Sequence, residues 1–554
     1  MINDNIVSTL PSDRYNLLIE FAVKHLDFQR AELTSVLDLY GITLGSLDCQ
    51  ILSLPNQGME KSYVSNGKTR HCTRPFIMLS FTKNLQGPRF HLSEKQKGTK
   101  TGIATILARC TLIRSVVELW GLGLSIESCA YNVKEYVKNT EMGKGALEKV
   151  SNPSQSWKTT IHTLGSTHPR KEQDEMRALF AFLEFKGKVQ MVDPHNEFIL
   201  IREVEMDAMG SPLFPKCHSD SDMTKSNGNV RSALAVYYGR ILGDRSVKGR
   251  GGVNQYNLKR RAYLGPTSMD AELSFVMANL GQVEPGCHVM DPFVGTGSIL
   301  LSCALKGAYC IGTDIDLRVL RGKGNDENVR SNFRQFALPR PELVRSDNAI
   351  YGRHYRTHSS LYDAIVCDPP YGIRAGARKS GSRLEDPRPI SEKHRHDHIA
   401  QTKPYNVSDV MADLLDMAAQ TLVMNGRLVY VIPSFSEFDI ECDLPLHECL
   451  EFLHCCYQPF SVDLGRRMIT MKKVREYDES RQEEYKQHIW KNGPESADKC
   501  ANIREKIIEA ARNKPGYEGK AAIRKEKRKV HKEAKKKAKA KLNIEDVESS
   551  AISR

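Results

Sequence analysis

Four short apolar runs constrain this chain more than any other feature, because each ends at a tight turn or an acid. Residues 287–291, 308–313, 364–367 and 426–433 are separated by stretches of helical period, the first of which, 273–280, precedes them. Runs this short and continuously apolar suit strands covered on both faces, and strands alternating with helices build a parallel, doubly wound α/β sheet. In such a sheet, ligands bind in the crevice beyond the carboxyl ends of the strands, which makes the residues following each run the place to look for chemistry.

Upstream the texture differs. Residues 15–22 read as a strand, and 28–39 as a helix with Phe28, Leu33, Val36, Leu37 and Leu39 largely on one face, stopped by Gly41. The run 101–120 reads as a long amphipathic helix ending at Gly121 and Gly123. A helix over 176–185, strands over 188–192 and 197–203, and a turn at Asp193-Pro194-His195-Asn196 complete an α+β region without βαβ regularity. The Gly, Ser, Pro and Asp-rich segment 207–230 reads as a linker.

A chain of 554 residues is too long for one core. It shows no apolar stretch of membrane-spanning length and no secretory leader, so a cytoplasmic protein without a membrane partner is expected. Its 14 cysteines include no C-x-x-C pair, and reduced thiols are the expectation. His394, His396 and His398 alternate in a polar loop where neither Cys nor carboxylate completes a site, so no metal is assigned. Net charge is +13, but twelve Lys and Arg against Glu526 and Glu533 within 520–541 supply +10 of it, leaving only +3 for the rest. The basic pI is therefore a property of the tail, which is expected to be solvated, disordered or helix-forming, and not of the folded body.

The first strand runs into Met290-Asp291-Pro292-Phe293-Val294-Gly295-Thr296-Gly297-Ser298. Gly295 and Gly297 allow a sharp turn and a close backbone approach to a ligand, and the absence of a following Gly-Lys-Ser/Thr rules out a Walker loop. The second strand ends in Asp314 and Asp316; an acid there can accept both hydroxyls of a ribose, and Asp314 is the better placed. Asp347, at the end of a third strand, could hold an adenine amine. Three acids at neighbouring strand ends make a nucleoside pocket.

The strand over 362–367 then delivers Asp368-Pro369-Pro370-Tyr371. An amine conjugated to a purine is a poor nucleophile because its lone pair is delocalised. The Asp368 carboxylate and the Pro369 carbonyl, fixed by prolines that carry no competing N–H, can accept its two hydrogens and free the lone pair. Tyr371 offers a face for stacking a base, commonly worth ~1–3 kcal/mol. With S-adenosylmethionine as donor, alignment of nitrogen, methyl and sulfur is the main requirement. Amine methylation of a nucleic-acid base follows, with an adenine-N6 methyltransferase of RNA or DNA and a protein-glutamine methyltransferase as alternatives.

At these residues the chain resembles the tRNA (guanine-10-N2)-methyltransferase family, over about residues 15–475. Leu264-Gly265-Pro266-Thr267-Ser268-Met269-Asp270-Ala271, DPFVGTGS, GTDID and DPPYGIRAG carry the resemblance, together with the start YNLLIEFAVKHLDF. Residues 157–203 look like the end of a THUMP domain, a tRNA-binding module. The resemblance implies a ferredoxin-like region at 1–122, a THUMP-like domain at 123–205, a linker at 206–255, a Rossmann-like class I methyltransferase domain at 256–478 and a charged tail at 479–554. It implies that Thr267, Ser268, Asp291, Gly295, Thr296, Gly297, Asp314 and Asp347 bind S-adenosylmethionine. Asp368, Pro369, Pro370 and Tyr371 would hold the target guanine. It also implies a tRNA substrate and a small zinc-binding activator subunit as partner. The longer polar loops at 207–230 and 379–399 and the basic tail depart from the family pattern. The tail could add phosphate contacts, act as a nuclear localisation signal or be merely solvated.

Overall fold

The structure, a computed structural model, describes residues 10–56, 63–65, 68–70, 74–83, 90–91, 101–164, 167–204, 234–242, 250–265, 268–324, 326–355, 359–370, 376–381, 392, 401–435, 438–460 and 464–493. Two seven-stranded sheets organise them. The linker expected at 207–230, the histidines at 394, 396 and 398, and the basic run at 520–541 lie outside the described residues.

The catalytic sheet has the order Glu342–Arg345, Tyr309–Asp314, His288–Asp291, Tyr362–Cys367, Leu422–Phe435, Leu464–Lys473, Leu450–Pro459. The first five strands are parallel; Leu464–Lys473 is antiparallel to both of its neighbours, so Leu450–Pro459 again runs in the direction of the first five. Chain order reverses direction at His288–Asp291: the next strand, Tyr309–Asp314, lies on one side of it and Tyr362–Cys367 on the other. That reversal opens a crevice between two diverging connections at the strands' carboxyl ends. Val289, Met290, Ile365, Val366 and Cys367 are buried, which is why these runs are continuous rather than alternating.

The first sheet runs Cys49–Leu52, Phe76–Thr82, Arg14–Phe21, Ile113–Gly123, Ala235–Leu242, Asn196–Glu203, Trp157–Thr163. The expected helix over 101–120 is corrected here. Only Ile103–Ala108 is helical, and Ile113–Gly123 is the central strand, paired with Arg14–Phe21 and Ala235–Leu242. Val116, Val117, Leu119 and Trp120 are covered on both faces, and a run buried all round lacks the period that separates strand from helix. Gly121 and Gly123 are close-approach glycines: a Cβ on Gly121 would lie 2.5 Å from Val133 Cγ2, and one on Gly123 2.3 Å from Ser128 Oγ, under the helix Ile126–Asn139.

Three further boundaries move. The helix expected at 176–185 lies at Arg170–Ala178, and 188–192 contributes a single bridge, Trp157 to Val189. The segment 206–255 holds a strand of the first sheet, Ala235–Leu242, so this sheet continues across 122/123 and 205/206. Residues after 479 begin folded: in the helix Gln482–His488 and the turn after it, Tyr485 and Ile489 are buried, and Gln482 donates to Tyr351 Oη and to Asp416, both at 3.0 Å.

The two sheets share one apolar cluster through the helices Gln29–Leu39 and Ala271–Leu280. Polar groups inside that contact are paired. The fully buried Glu32 carboxylate accepts from Thr111 N at 2.7 Å, Leu112 N at 3.0 Å and Asn279 Nδ2 at 2.7 Å. Arg427, also buried, donates to Ser35 Oγ and to Leu280 O, each at 3.0 Å, and lies 3.6 Å from Asp38. Glu32→Ala would strand the backbone N–H groups of Thr111 and Leu112 and leave Asn279 Nδ2 only its bonds to Arg109 O and Thr111 Oγ1; unfolding free energy should fall by about 3 kcal/mol or more, measured by denaturant titration. Burial, aided by the Arg427 charge, holds His454 down to about 4. The unfolded chain takes up that proton near the ordinary value of about 6.5, so stability is lost as pH falls from about 6.5 towards 4, and His454→Gln should flatten that part of the stability–pH curve.

Candidate functional site

The chain leaves His288–Asp291 through a turn whose backbone is set by its glycines. Gly295 has φ +50° and Gly297 φ +77°, and a Cβ on Gly297 would lie 2.6 Å from Val329 Cγ1. Asp291 Oδ1 accepts from Phe293 N at 3.0 Å, and Val294 N donates to Thr313 O at 2.8 Å, so the turn folds back over the adjacent strand end. Gly312 lies beneath it; a Cβ there would meet Val294 Cγ2 at 2.6 Å.

Asp314 closes this turn from the neighbouring strand: its Oδ2 accepts from Gly295 N at 3.0 Å and its Oδ1 from Asp316 N at 2.8 Å. A carboxylate has about four acceptor positions, so both oxygens keep capacity for a further donor. Asp316 is committed elsewhere, capping the next helix through Arg318 N and pairing with the Arg318 guanidinium at 2.7 Å. Asp347 is buried beyond the third strand, Glu342–Arg345, accepting from Ala349 N at 3.0 Å and from Ser380 N at 2.6 Å. Ser380 belongs to a small hairpin, Arg378–Ser380 with Thr402–Pro404. A cavity of about 920 Å³ opens beside Asp347, bounded by Ile350, Lys403, Asp409 and Trp490; Asp291, Asp314 and Asp368 do not line it.

Ser268 and Thr296 meet across the crevice, Oγ to Oγ1 at 2.7 Å, and Ser268 Oγ accepts from Gly265 N at 3.0 Å. Asp368 leaves the strand Tyr362–Cys367 half-buried, with Pro369 buried behind it. Its Oδ2 lies 3.5 Å from Arg466 Nη1. Thr267 and Tyr371 lie outside the described residues. Thus Ser268, Asp291, Gly295, Thr296, Gly297 and Asp314 come together around one turn, with Asp368 beside it and Asp347 one strand further out.

Charge in this crevice is uneven. Burial pushes the Asp291 carboxyl well above the usual carboxylate range, and the negative charges of Asp314 and Asp368 add to it. Burial also raises Asp314, opposed by the backbone N–H groups of Asp316 and Gly295. The Cys367 thiol is pushed up by burial and by the charges of Asp291 and Asp368.

Sequence reasoning missed two contributors. Arg466 comes from Leu464–Lys473, about a hundred residues beyond Asp368, with no motif around it. Arg261, buried before the crevice loop, donates to Ser298 Oγ at 2.7 Å, and burial lowers its guanidinium to about 10. Neither carries a local signal; each is brought in by tertiary packing.

Residues 259–387 match the family described as "RMKL-like, methyltransferase domain", and 94–215 match "Tmrp11 THUMP N-terminal domain". The tRNA (guanine(10)-N(2))-methyltransferase TRMT11 of Homo sapiens is 33% identical over 84% of this chain and 89% of its own. The protein of the same name from Dictyostelium discoideum is 35% identical over 68% of this chain and 71% of its own. Among solved structures, TrmN from Thermus thermophilus covers 83% of this chain and 100% of its own, at 13% identity and a TM-score of 0.35. With a third of its positions shared with TRMT11 relatives over most of both chains, the chain belongs to the tRNA (guanine(10)-N(2))-methyltransferase family.

Proposed function

We propose that this chain transfers a methyl group from S-adenosylmethionine to the exocyclic N2 amine of guanosine 10 in tRNA, as the catalytic subunit of a complex with a small zinc-binding activator. The observation that carries the reading is the position of Asp368 and Pro369 at the reversal in strand order, one strand from the Gly295–Gly297 turn. The free thiols among the described cysteines suit a cytoplasmic enzyme.

The residues fit the donor. The turn takes its shape because Gly297, at φ +77° and packed against Val329, carries no Cβ, and Asp314 presents its carboxylate at the adjacent strand end, where a ribose would be held. Ser268 and Thr296 would face the methionine part, and Asp347 the adenine amine. When bound, S-adenosylmethionine supplies an activated methyl group on a cationic sulfur. Asp368 and the Pro369 carbonyl hold the target amine by its hydrogens, with its lone pair aimed at that methyl; alignment of this kind can remove ~7–11 kcal/mol of barrier. As the nitrogen–carbon bond forms and the carbon–sulfur bond breaks, positive charge develops on nitrogen, and Asp368 is placed to take the proton shed. The first sheet, with its THUMP match, supplies the tRNA-docking surface.

Incubation of the full-length chain and its activator with tRNA and labelled donor, followed by nucleoside mass spectrometry, should yield N2-methylguanosine. Label in N6-methyladenosine, or in protein alone, would overturn the reading. Asp368→Ala should lower kcat by about 10²- to 10³-fold with donor affinity unchanged. Asp314→Ala should instead weaken donor binding by about 10- to 100-fold, read by calorimetry, since it removes charge-assisted hydrogen bonds of about 1.5–3 kcal/mol.

A further inference from the structure

We infer that Arg466 is a positioning residue for Asp368, one that fixes the direction and charge of its carboxylate and couples it to the loop carrying Ser268. The inference rests on the methyl-transfer reading of Asp368.

The strand Leu464–Lys473 lies between Leu422–Phe435 and Leu450–Pro459, with Arg466 opposite Pro433 on one side and Gln458 on the other. A Cβ on the preceding Gly465 would lie 2.4 Å from Gln458 O and 2.5 Å from the Tyr457 ring, so the backbone beside Arg466 is held close to its neighbour. From this strand one side chain, 13% exposed, reaches across the crevice. Its Nε donates to Gln458 Oε1 at 2.7 Å, its Nη1 lies 3.5 Å from Asp368 Oδ2, and its Nη2 lies 3.2 Å from Met269 Sδ. Its guanidinium stands 5.4 Å from the centroid of the Phe460 ring.

Each contact does something different. Gln458 anchors the planar fork, so its remaining N–H groups point in set directions. Phe460, half exposed, covers one face of the guanidinium and limits its hydration. Met269 follows Ser268 directly, so the same fork touches the loop expected to face the donor and the acid expected to face the acceptor. Reaction requires those two sides to be aligned to a fraction of an ångström.

The charge argument is independent of the alignment argument. Asp291 from the strand His288–Asp291, the Cys367 thiol and the Arg466 guanidinium lie close enough to Asp368 to interact with its charge. Asp291 and Cys367 are both driven towards their neutral forms, chiefly by burial. Arg466 is thus a cation beside a pair of acids, and it faces the less buried of them. It places positive charge next to Asp368, where an amine needs a strong acceptor, while burial raises Asp291.

The test uses the full-length chain in the complex in which the wild type is active, with tRNA as acceptor. Arg466→Gln should lower kcat by up to about 10²-fold, as misplacement of a reacting group does. Donor affinity by calorimetry should stay within about twofold, and the acid limb of the kcat–pH profile should move to higher pH, because a cation beside the carboxylate has gone. Arg466→Lys, which restores the charge without the fork, should return the acid limb towards the wild-type position while recovering kcat only in part. Gln458→Leu, which frees the guanidinium but keeps its charge, should lower kcat several-fold with the acid limb unmoved, and it serves if Arg466→Gln fails to fold. An unchanged kcat in Arg466→Gln or in Gln458→Leu overturns the inference, as does a fall in kcat with an unmoved acid limb that Lys does not relieve. A wild-type chain that methylates no tRNA would instead overturn the reading beneath it.

Discussion

Four carboxylates converge on the carboxyl edge of one sheet, and the rest of the site is arranged around keeping them there. Asp291, Asp314, Asp347 and Asp368 each follow a different strand, and Asp291 is near enough to both Asp314 and Asp368 to be shifted by their charge. Like charges in a partly desolvated crevice repel strongly, and Asp291, Asp314 and Asp368 are held there in different ways. Asp291 is fully buried, and burial pushes its carboxyl well above the usual carboxylate range. Asp314 and Asp347 each receive two backbone N–H groups. Asp368 faces a guanidinium. These solutions bind the acids to the turn, the hairpin and the antiparallel end of the sheet, so ligand recognition and local folding use the same hydrogen bonds.

This arrangement explains why the one antiparallel strand among those described, Leu464–Lys473, matters to a site built on the parallel ones. The crevice belongs to the reversal at His288–Asp291, yet the cation beside Asp368 is delivered from Leu464–Lys473. Leu422–Phe435 lies between them and carries Arg427 at its other end, paired with Ser35 and Asp38 of the helix Gln29–Leu39. Glu32 on that helix is held by Asn279 of Ala271–Leu280, the helix that precedes His288–Asp291 in the chain. The first sheet and the catalytic sheet therefore share buried polar and charged groups as well as apolar surface.

Much of the catalytic half was legible from local sequence because its physics is local. A strand covered on both faces must be apolar throughout, a tight turn with positive φ needs Gly295 and Gly297, and an acid at a strand end has one place to point. The same continuity misled at 113–123. There the buried run Ile113–Gly123 follows a true short helix, Ile103–Ala108, and the glycines that looked like helix stops are openings for the helix Ile126–Asn139 to approach. Local period cannot distinguish those cases; only the partner strands decide.

The remaining gaps are contacts between distant parts of the chain. Nothing near Arg466 marks it, since an arginine on an antiparallel strand ordinarily faces water, and its position depends on Gly465 and Gln458. The boundary at 479 failed for a related reason. The residues that follow are charged enough to look like tail, but Asp416, fully buried on the helix Val407–Thr421, requires donors, and Gln482 and Tyr477 supply them beside Tyr351. A buried acid recruits whatever donors the fold can bring to it. Charge composition marks where a chain can be solvated, whereas the unmet hydrogen-bonding demand of a buried group determines where it is not.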